Sequence, residues 1–166
     1  GSLFAGIKFN YVPRSQVPKL FLTVVALDPA VSSHDGSDSH GISVVGVGEN
    51  GKYYILDSFE KRVTPEFAVR KALYFAVKYN ADRVIIEGNQ GGDLWLDVWD
   101  RIIEASGLDE DRQPGVEIVK VSSATGGKME RASQMLIDFE LGKVYIVDDE
   151  FTETLIKAFL RFPQRS

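Results

Sequence analysis

Thr23-Val24-Val25-Ala26-Leu27-Asp28-Pro29 is a short apolar run, rich in β-branched residues, that stops on a carboxylate. A run of this kind bounded by turn formers reads as a buried strand. Alternation along a strand turns Leu27 and Asp28 to opposite faces. Pro29 has no N–H for a sheet ladder, so the strand is expected to end close to Asp28. The design recurs in Arg83-Val84-Ile85-Ile86-Glu87-Gly88, where a second apolar strand closes on Glu87 with a glycine behind it. Two acidic strand ends are the main functional clue.

On the N-terminal side, residues 1–20 contain Gly6, Pro13 and Pro18 and show no sustained period. They are expected to form an N-terminal arm or linker with little structure of its own, leaving 21–166 as one folded domain. After the first strand, Ala30 to Gly41 is a polar, Gly- and Ser-rich stretch with His34, Asp35, Asp38 and His40. His and Asp together can ligate a metal, but a loop imposes no spacing on them, and a surface loop is the simpler reading. Asp38 is kept as a secondary acidic candidate because it lies just before the next strand and near the Asp28 end.

Ile42–Val47 and Tyr53–Asp57 read as strands joined through Gly48-Glu49-Asn50-Gly51-Lys52. Gly46 to Gly51 fits the spacing GxGxxG, and Gly46 to Lys52 fits the start of a Walker A loop. Both motifs need a helix directly afterwards to hold phosphates at its N-terminus. A strand follows instead, and Asn50-Gly51 between apolar runs signals a hairpin.

Thr64-Pro65 opens a helix as cap and first residue, and Ala68, Ala72, Phe75, Ala76 and Tyr79 keep helical spacing to residue 80. The strand to Glu87 then completes a β-α-β crossover, so Glu87 is expected at a carboxyl end of a parallel pair. A second helix is expected over Asp93–Ser106, with Leu94, Val98 and Ile102 inward and Trp95 and Trp99 as flanking packing residues. Gly107 ends it, and Val116–Val121 reads as a fifth strand. The loop Ser122–Gly127 feeds a helix over Lys128–Leu141 with Ala132, Met135, Leu136 and Phe139 as its buried stripe. Lys128 and Arg131 stand in its first turn, where cations oppose the helix dipole; with the Gly-rich loop they suggest an anion such as a phosphate backbone, and chance placement is an equal reading. Val144–Val147 is a short strand. Asp148-Asp149-Glu150 precedes a last helix, Phe151 to about Phe162, and acidic residues there are expected as caps, with Asp149 a second acidic candidate.

Composition sets outer limits. With 166 residues, 44% of them hydrophobic, the chain can bury one substantial core. The absence of cysteine removes disulfides and thiolate metal sites, leaving oxygen ligands and two histidines. No apolar run approaches the ~20 residues of a membrane span, and the layout of a signal peptide is missing, so a soluble, intracellular protein is expected. Gly1-Ser2 looks like a cloning remnant and implies a domain cut from something longer. The net charge of −5 argues against generic nucleic-acid affinity, although basic residues can still gather on one face.

Hairpin strands first and parallel crossovers later, with acidic residues ending the first and fourth strands, resemble the ribonuclease H-like fold: an α/β mixed sheet of three antiparallel and then parallel strands, with helices on both faces. In that fold the first and fourth strands are neighbours, so Asp28 and Glu87 would face each other. Phosphodiester hydrolysis explains such a pair, because carboxylates can hold two divalent ions about 3.5–4 Å apart that activate water and stabilise the leaving oxygen. A paired-carboxylate glycosidase also uses two acids but gives no reason for this order of elements.

Residues 23–163 further resemble the nuclease domain of the large terminase subunit of tailed bacteriophages. The matching pieces are Leu27-Asp28-Pro29, Ile85-Ile86-Glu87-Gly88 with Gly91, Lys128-Met129-Glu130-Arg131-Ala132, Glu140-Leu141-Gly142-Lys143-Val144 and Leu160-Arg161-Phe162-Pro163. The resemblance implies an endonuclease that cuts concatemeric viral double-stranded DNA during genome packaging, in the host cell cytoplasm. Asp28 and Glu87 would be catalytic and bind two Mg2+ or Mn2+ ions, and Lys128 and Arg131 would contact DNA. The implied partners are an ATPase domain, the portal and the small terminase subunit. The same family places a third metal-binding aspartate in an Asp-Asp pair shortly after the Phe-Pro step, whereas this sequence stops at Ser166. Asp148 or Asp149 would replace it only if the last helix packs differently, and its loss would leave cleavage slow or dependent on manganese. The alternatives are a Holliday-junction resolvase or transposase-like nuclease, and a catalytically incomplete docking module of a packaging motor.

Overall fold

The apolar run that ends on Asp28 lies inside a longer strand than its sequence announces. The computed structural model describes residues 2–32, 39–88, 92–120 and 127–162. Their elements in chain order are β1 (Tyr11–Val12), β2 (Leu20–Ser32), β3 (Ser39–Gly48), β4 (Tyr53–Arg62), α1 (Pro65–Lys78), β5 (Arg83–Glu87), α2 (Gly92–Ser106), β6 (Gly115–Val119), α3 (Gly127–Glu140), β7 (Val144–Val147) and α4 (Thr152–Arg161). The strands form one mixed seven-stranded sheet in the order β1-β7-β4-β3-β2-β5-β6. Its parallel pairs are β1 with β7, β4 with β7, β2 with β5, and β5 with β6. The links from β2 to β3 and from β3 to β4 are too short for a crossover, as antiparallel neighbours require.

The chain divides into two compact units, Leu22–Val44 with Phe59–Val121, and Gly1–Phe21 with Val45–Ser58 and Ser122–Ser166. In the first, β2 and β5 run in register from Val24↔Arg83 to Leu27↔Ile86. Val25, Leu27, Val84 and Ile86 are fully buried, the one-sided alternation that fixes register in a strand with a core face. One residue before the pairing starts, the Thr23 N–H donates to the Asp82 carboxylate at 2.8 Å, and the Asp82 N–H returns a bond of 2.8 Å to the Thr23 carbonyl. β2 runs past Pro29 to Ser32 because β5 ends at Glu87, so Pro29 falls beyond the last β5 residue, on a side where a missing N–H leaves no ladder bond unmade.

Helix α1 starts as its sequence signals, with the Thr64 Oγ1 accepting from the Phe67 N–H at 3.1 Å and Pro65 at the first position. Asn80, at φ 51°, turns the chain out of it. Helix α2 differs from expectation. Trp95, Val98, Trp99 and Ile102 are buried, while Leu94 is 60% exposed. The two indoles carry more apolar area than one leucine, so the helix settles with them inward.

In the other unit the Asn50-Gly51 hairpin forms, with Gly51 at φ 78° and the Gly48 N–H bonded to the Lys52 carbonyl at 2.9 Å. A side chain at Gly46 would place its Cβ 2.6 Å from Leu20 Cδ1, so this strand glycine serves close packing and not phosphate binding. The core joins Ile55, Phe139, Val144 and Ile146 to Phe4, which is 1% exposed. Residues 2–20 contribute only the two-residue β1 and a 3-10 turn at Arg14–Gln16 as regular structure, yet they are anchored. Phe4 and Phe9 pack on Phe159 at centroid distances of 5.0 and 5.6 Å, and the Asn10 amide donates to the Phe139 and Val144 carbonyls. On α3, Ala132 and Leu136 join this core as expected, whereas Met135 lies at its margin, more than a third exposed.

Replacing Asp82 with alanine leaves the Thr23 N–H without its carboxylate. The expected cost is about 1–3 kcal/mol, read as a lower urea midpoint at unchanged slope. An unchanged midpoint would mean that the clamp contributes nothing to the β2–β5 pair.

Candidate active site

Strand periodicity and register together position the two carboxylates. Leu27 and Ile86 are the last register pair and both face the core. The next residues, Asp28 within β2 and Glu87 at the end of β5, therefore stand side by side on adjacent parallel strands, turned to the opposite face. Neighbouring strands lie about 4.8 Å apart, so both carboxylates can reach one small cation or two adjacent ones. Each is half-buried. Behind Glu87, the buried Gly88 donates its N–H to the Val119 carbonyl at 2.9 Å, which ties this strand end to β6.

The other candidates have different settings. Asp38, His34 and Asp35 lie outside the described residues. His40 is not on a loop: it is the second residue of β3 and is buried, with its ring 5.8 Å from Trp95 in an edge-to-face arrangement. Lys128 stands in the first turn of α3, and its side chain lies outside the described residues; Arg131 is exposed on the same helix.

Asp149 is not a helix cap. Its carboxylate accepts from Arg14 Nη2 at 2.6 Å and from Arg14 Nε at 3.1 Å, and the α4 start has no side-chain cap. The polar work at that corner falls to Thr152, whose hydroxyl accepts from the Asp149 N–H at 2.9 Å and donates to the Val147 carbonyl at 2.7 Å. The Asp149 carboxylate is thus engaged by the Arg14 guanidinium in a charge-assisted, two-donor contact.

Among the described residues no group of three or more His, Asp or Glu side chains could hold a metal ion. What they offer is the pair Asp28 and Glu87, two hard oxygen donors of the kind that magnesium and manganese take together with waters and substrate phosphates. The pair fits as part of a ligand set. Sequence reasoning missed the Thr23–Asp82 clamp, although the signal was present: Thr23 precedes Asp28 by the same distance that Asp82 precedes Glu87.

A mixed sheet with the hairpin strands in its middle and acidic residues on adjacent parallel strands is the ribonuclease H-like architecture. Residues 25–166 match the family described as the terminase RNaseH-like domain, and the chain belongs to that family. Solved structures of the nuclease domain of the large terminase subunit gp2 of bacterial virus Sf6 share the fold. A mutant form with manganese and beta-thujaplicinol gives a TM-score of 0.57 at 12% identity, covering 91% of this chain and 75% of that one. The same domain in a second structure gives 0.54 at 11% identity, and a mutant form with calcium gives 0.55 at 12%, each with the same coverage of 91% and 75%. A search of curated proteins gave no match. No helix among the described residues is long and apolar enough to cross a membrane.

Because Arg14 and Asp149 are both more than a third exposed, Asp149→Ala is expected to cost under about 1 kcal/mol in urea denaturation. Arg14→Ala is expected to cost more, since the Leu56 carbonyl also loses its 3.0 Å donor. Equal costs would count against a role for that second bond.

Proposed function

We propose that this domain is a metal-dependent endonuclease that cuts concatemeric viral double-stranded DNA during genome packaging. The observation that carries the reading is the parallel register of β2 and β5, which runs to Leu27↔Ile86, one residue before Asp28 and Glu87. Family membership and the fold of the Sf6 nuclease domain, solved with manganese, support it. Asp28 and Glu87 would hold divalent cations, magnesium or manganese, through their carboxylate oxygens. When bound, such ions supply an activated water and stabilise charge on the leaving oxygen of a phosphodiester.

The chain's own part is preorganisation. Paired strands hold the two carboxylates more rigidly than a loop would, and the Thr23–Asp82 clamp resists the slip that would separate them. Both carboxylates repel a phosphate backbone unless cations intervene, so productive approach of DNA is coupled to metal binding. Lys128 and Arg131, at the start of α3, would supply cations for the backbone of the duplex. In a full-length large terminase subunit the domain would act beside an ATPase domain, the portal and the small subunit, in the cytoplasm of the infected cell.

Cleavage of supercoiled plasmid in manganese and in magnesium tests the reading, with Asp28→Asn and Glu87→Gln checked for folding beside the parent. Loss of a direct ligand should exceed the roughly 10–100-fold typical of losing an outer-shell partner. Each variant is therefore expected to lose at least about 100-fold in rate and to show weaker manganese binding by calorimetry. A folded Asp28→Asn protein that cuts at the parent rate would sink the proposal. Arg131→Ala is expected to weaken duplex binding irrespective of sequence and to lower the salt slope by about one, measured by anisotropy against salt concentration; an unchanged slope would remove Arg131 from the DNA-binding face.

A further inference from the structure

The outer side of α1 does not look like the polar face of an ordinary surface helix. Phe67, Tyr74 and Val77 are exposed by 49, 53 and 43%, and their spacing sets them along one stripe of the helix. Alongside it, α1 and the end of α2 leave a groove of about 500 Å³ lined by Arg70, Leu73, Tyr74, Val77, Ile102 and Leu108. Its lining is largely apolar.

The other flank is cationic. Lys71 Nζ lies 4.9 Å from the Tyr74 ring centroid, 5.0 Å from Phe75 and 5.4 Å from Phe59. Lys78 lies 5.3 Å from Tyr79 and 5.9 Å from Tyr74. Rings on several sides hold these ammonium groups in place at a lower entropic cost than free lysines would carry. Of the four charged residues of α1, Glu66 is paired with Arg70 at 2.7 Å and the other two, Lys71 and Lys78, are both cations, on a chain whose net charge is −5.

We propose that this face docks an acidic amphipathic segment of a partner protein, with apolar side chains in the α1–α2 groove and carboxylates against Lys71 and Lys78. Charge complementarity selects the sign of the partner. The apolar groove selects its class. A nucleic-acid backbone is bound by rows of hydrated cations, whereas here the cations border an apolar slot and Arg70 is already bridged to a carboxylate, the pattern of a groove that takes a helix by its apolar anchors. The face is built from elements other than the strand ends that carry Asp28 and Glu87, so its test does not depend on cleavage.

The test uses the whole chain and a labelled amphipathic helical peptide with leucines at i, i+3, i+4 and i+7 and glutamates on its other face. Its lysine counterpart and a short DNA duplex serve as competitors, with fluorescence anisotropy as the readout. The acidic peptide is expected to bind saturably. Lys71→Glu and Val77→Ser, each confirmed to melt as the parent does, should weaken it about tenfold or more, because anchors at the centre of a groove carry most of the affinity. Equal binding of the lysine peptide, or parent-like affinity in both variants, would overturn the proposal. It would equally be overturned if the duplex displaces the peptide, which assigns the face to nucleic acid, or if the chain self-associates through Lys71 and Val77, which assigns it to a second copy.

Discussion

The pairing of β2 with β5 is the constraint on which the candidate site depends. In a parallel pair with one buried face, a shift by a single residue would turn Val25 and Leu27 outward and bring Asp28 into the core. Burial of the apolar residues therefore sets the acidic ones by exclusion. Apolar side chains of this size contribute about 1.5–3 kcal/mol each when fully buried, which is large against any gain from a slipped arrangement. The Thr23–Asp82 bonds add a polar stop at the start of the pair. The geometry of the candidate site is thus fixed from its apolar side, at some distance from the charges themselves.

Each unit solves its packing with aromatic residues in a different way. Where β2 and β5 lie, Trp95 and Trp99 fill the space under α2, and the Trp95 indole meets the buried His40 ring. In the other unit, phenylalanines from segments far apart in sequence, Phe4, Phe9, Phe139 and Phe159, meet at centroid distances of 5.0 to 6.5 Å. Edge-to-face and offset contacts of this kind add about 0.5–1.5 kcal/mol per pair beyond area burial. They bind the N-terminal segment to α3 and α4 with almost no regular structure in that segment.

The strands and helices that read clearly in the sequence are those whose periodicity and end signals agree: Thr64-Pro65 for α1, Asn50-Gly51 for the hairpin, and the two apolar runs closing on Asp28 and Glu87. Legibility fails where tertiary contact overrides local pattern. Leu94, Val98 and Ile102 form an acceptable stripe by spacing, but the indoles one position later have more to bury. Phe4 and Phe9 carry no period because they are bound by partners more than a hundred residues away. Asp149 looked like a cap because local sequence shows the helix it precedes and not the Arg14 that reaches it. For the site, the pair was legible because both carboxylates terminate apolar runs. Completing the ligand set requires knowing which distant segments converge there, and neither period nor composition carries that.

Pro29 matters beyond the strand it interrupts. Among the described residues β5 stops at Glu87 while β2 continues to Ser32, and a strand side without a ladder partner invites an extended segment from another molecule to pair with it. A proline at the first position of that opening withholds a hydrogen-bond donor from any such intruder. At the residue next to Asp28, a strand that outruns its neighbour is thereby less able to template the addition of another strand.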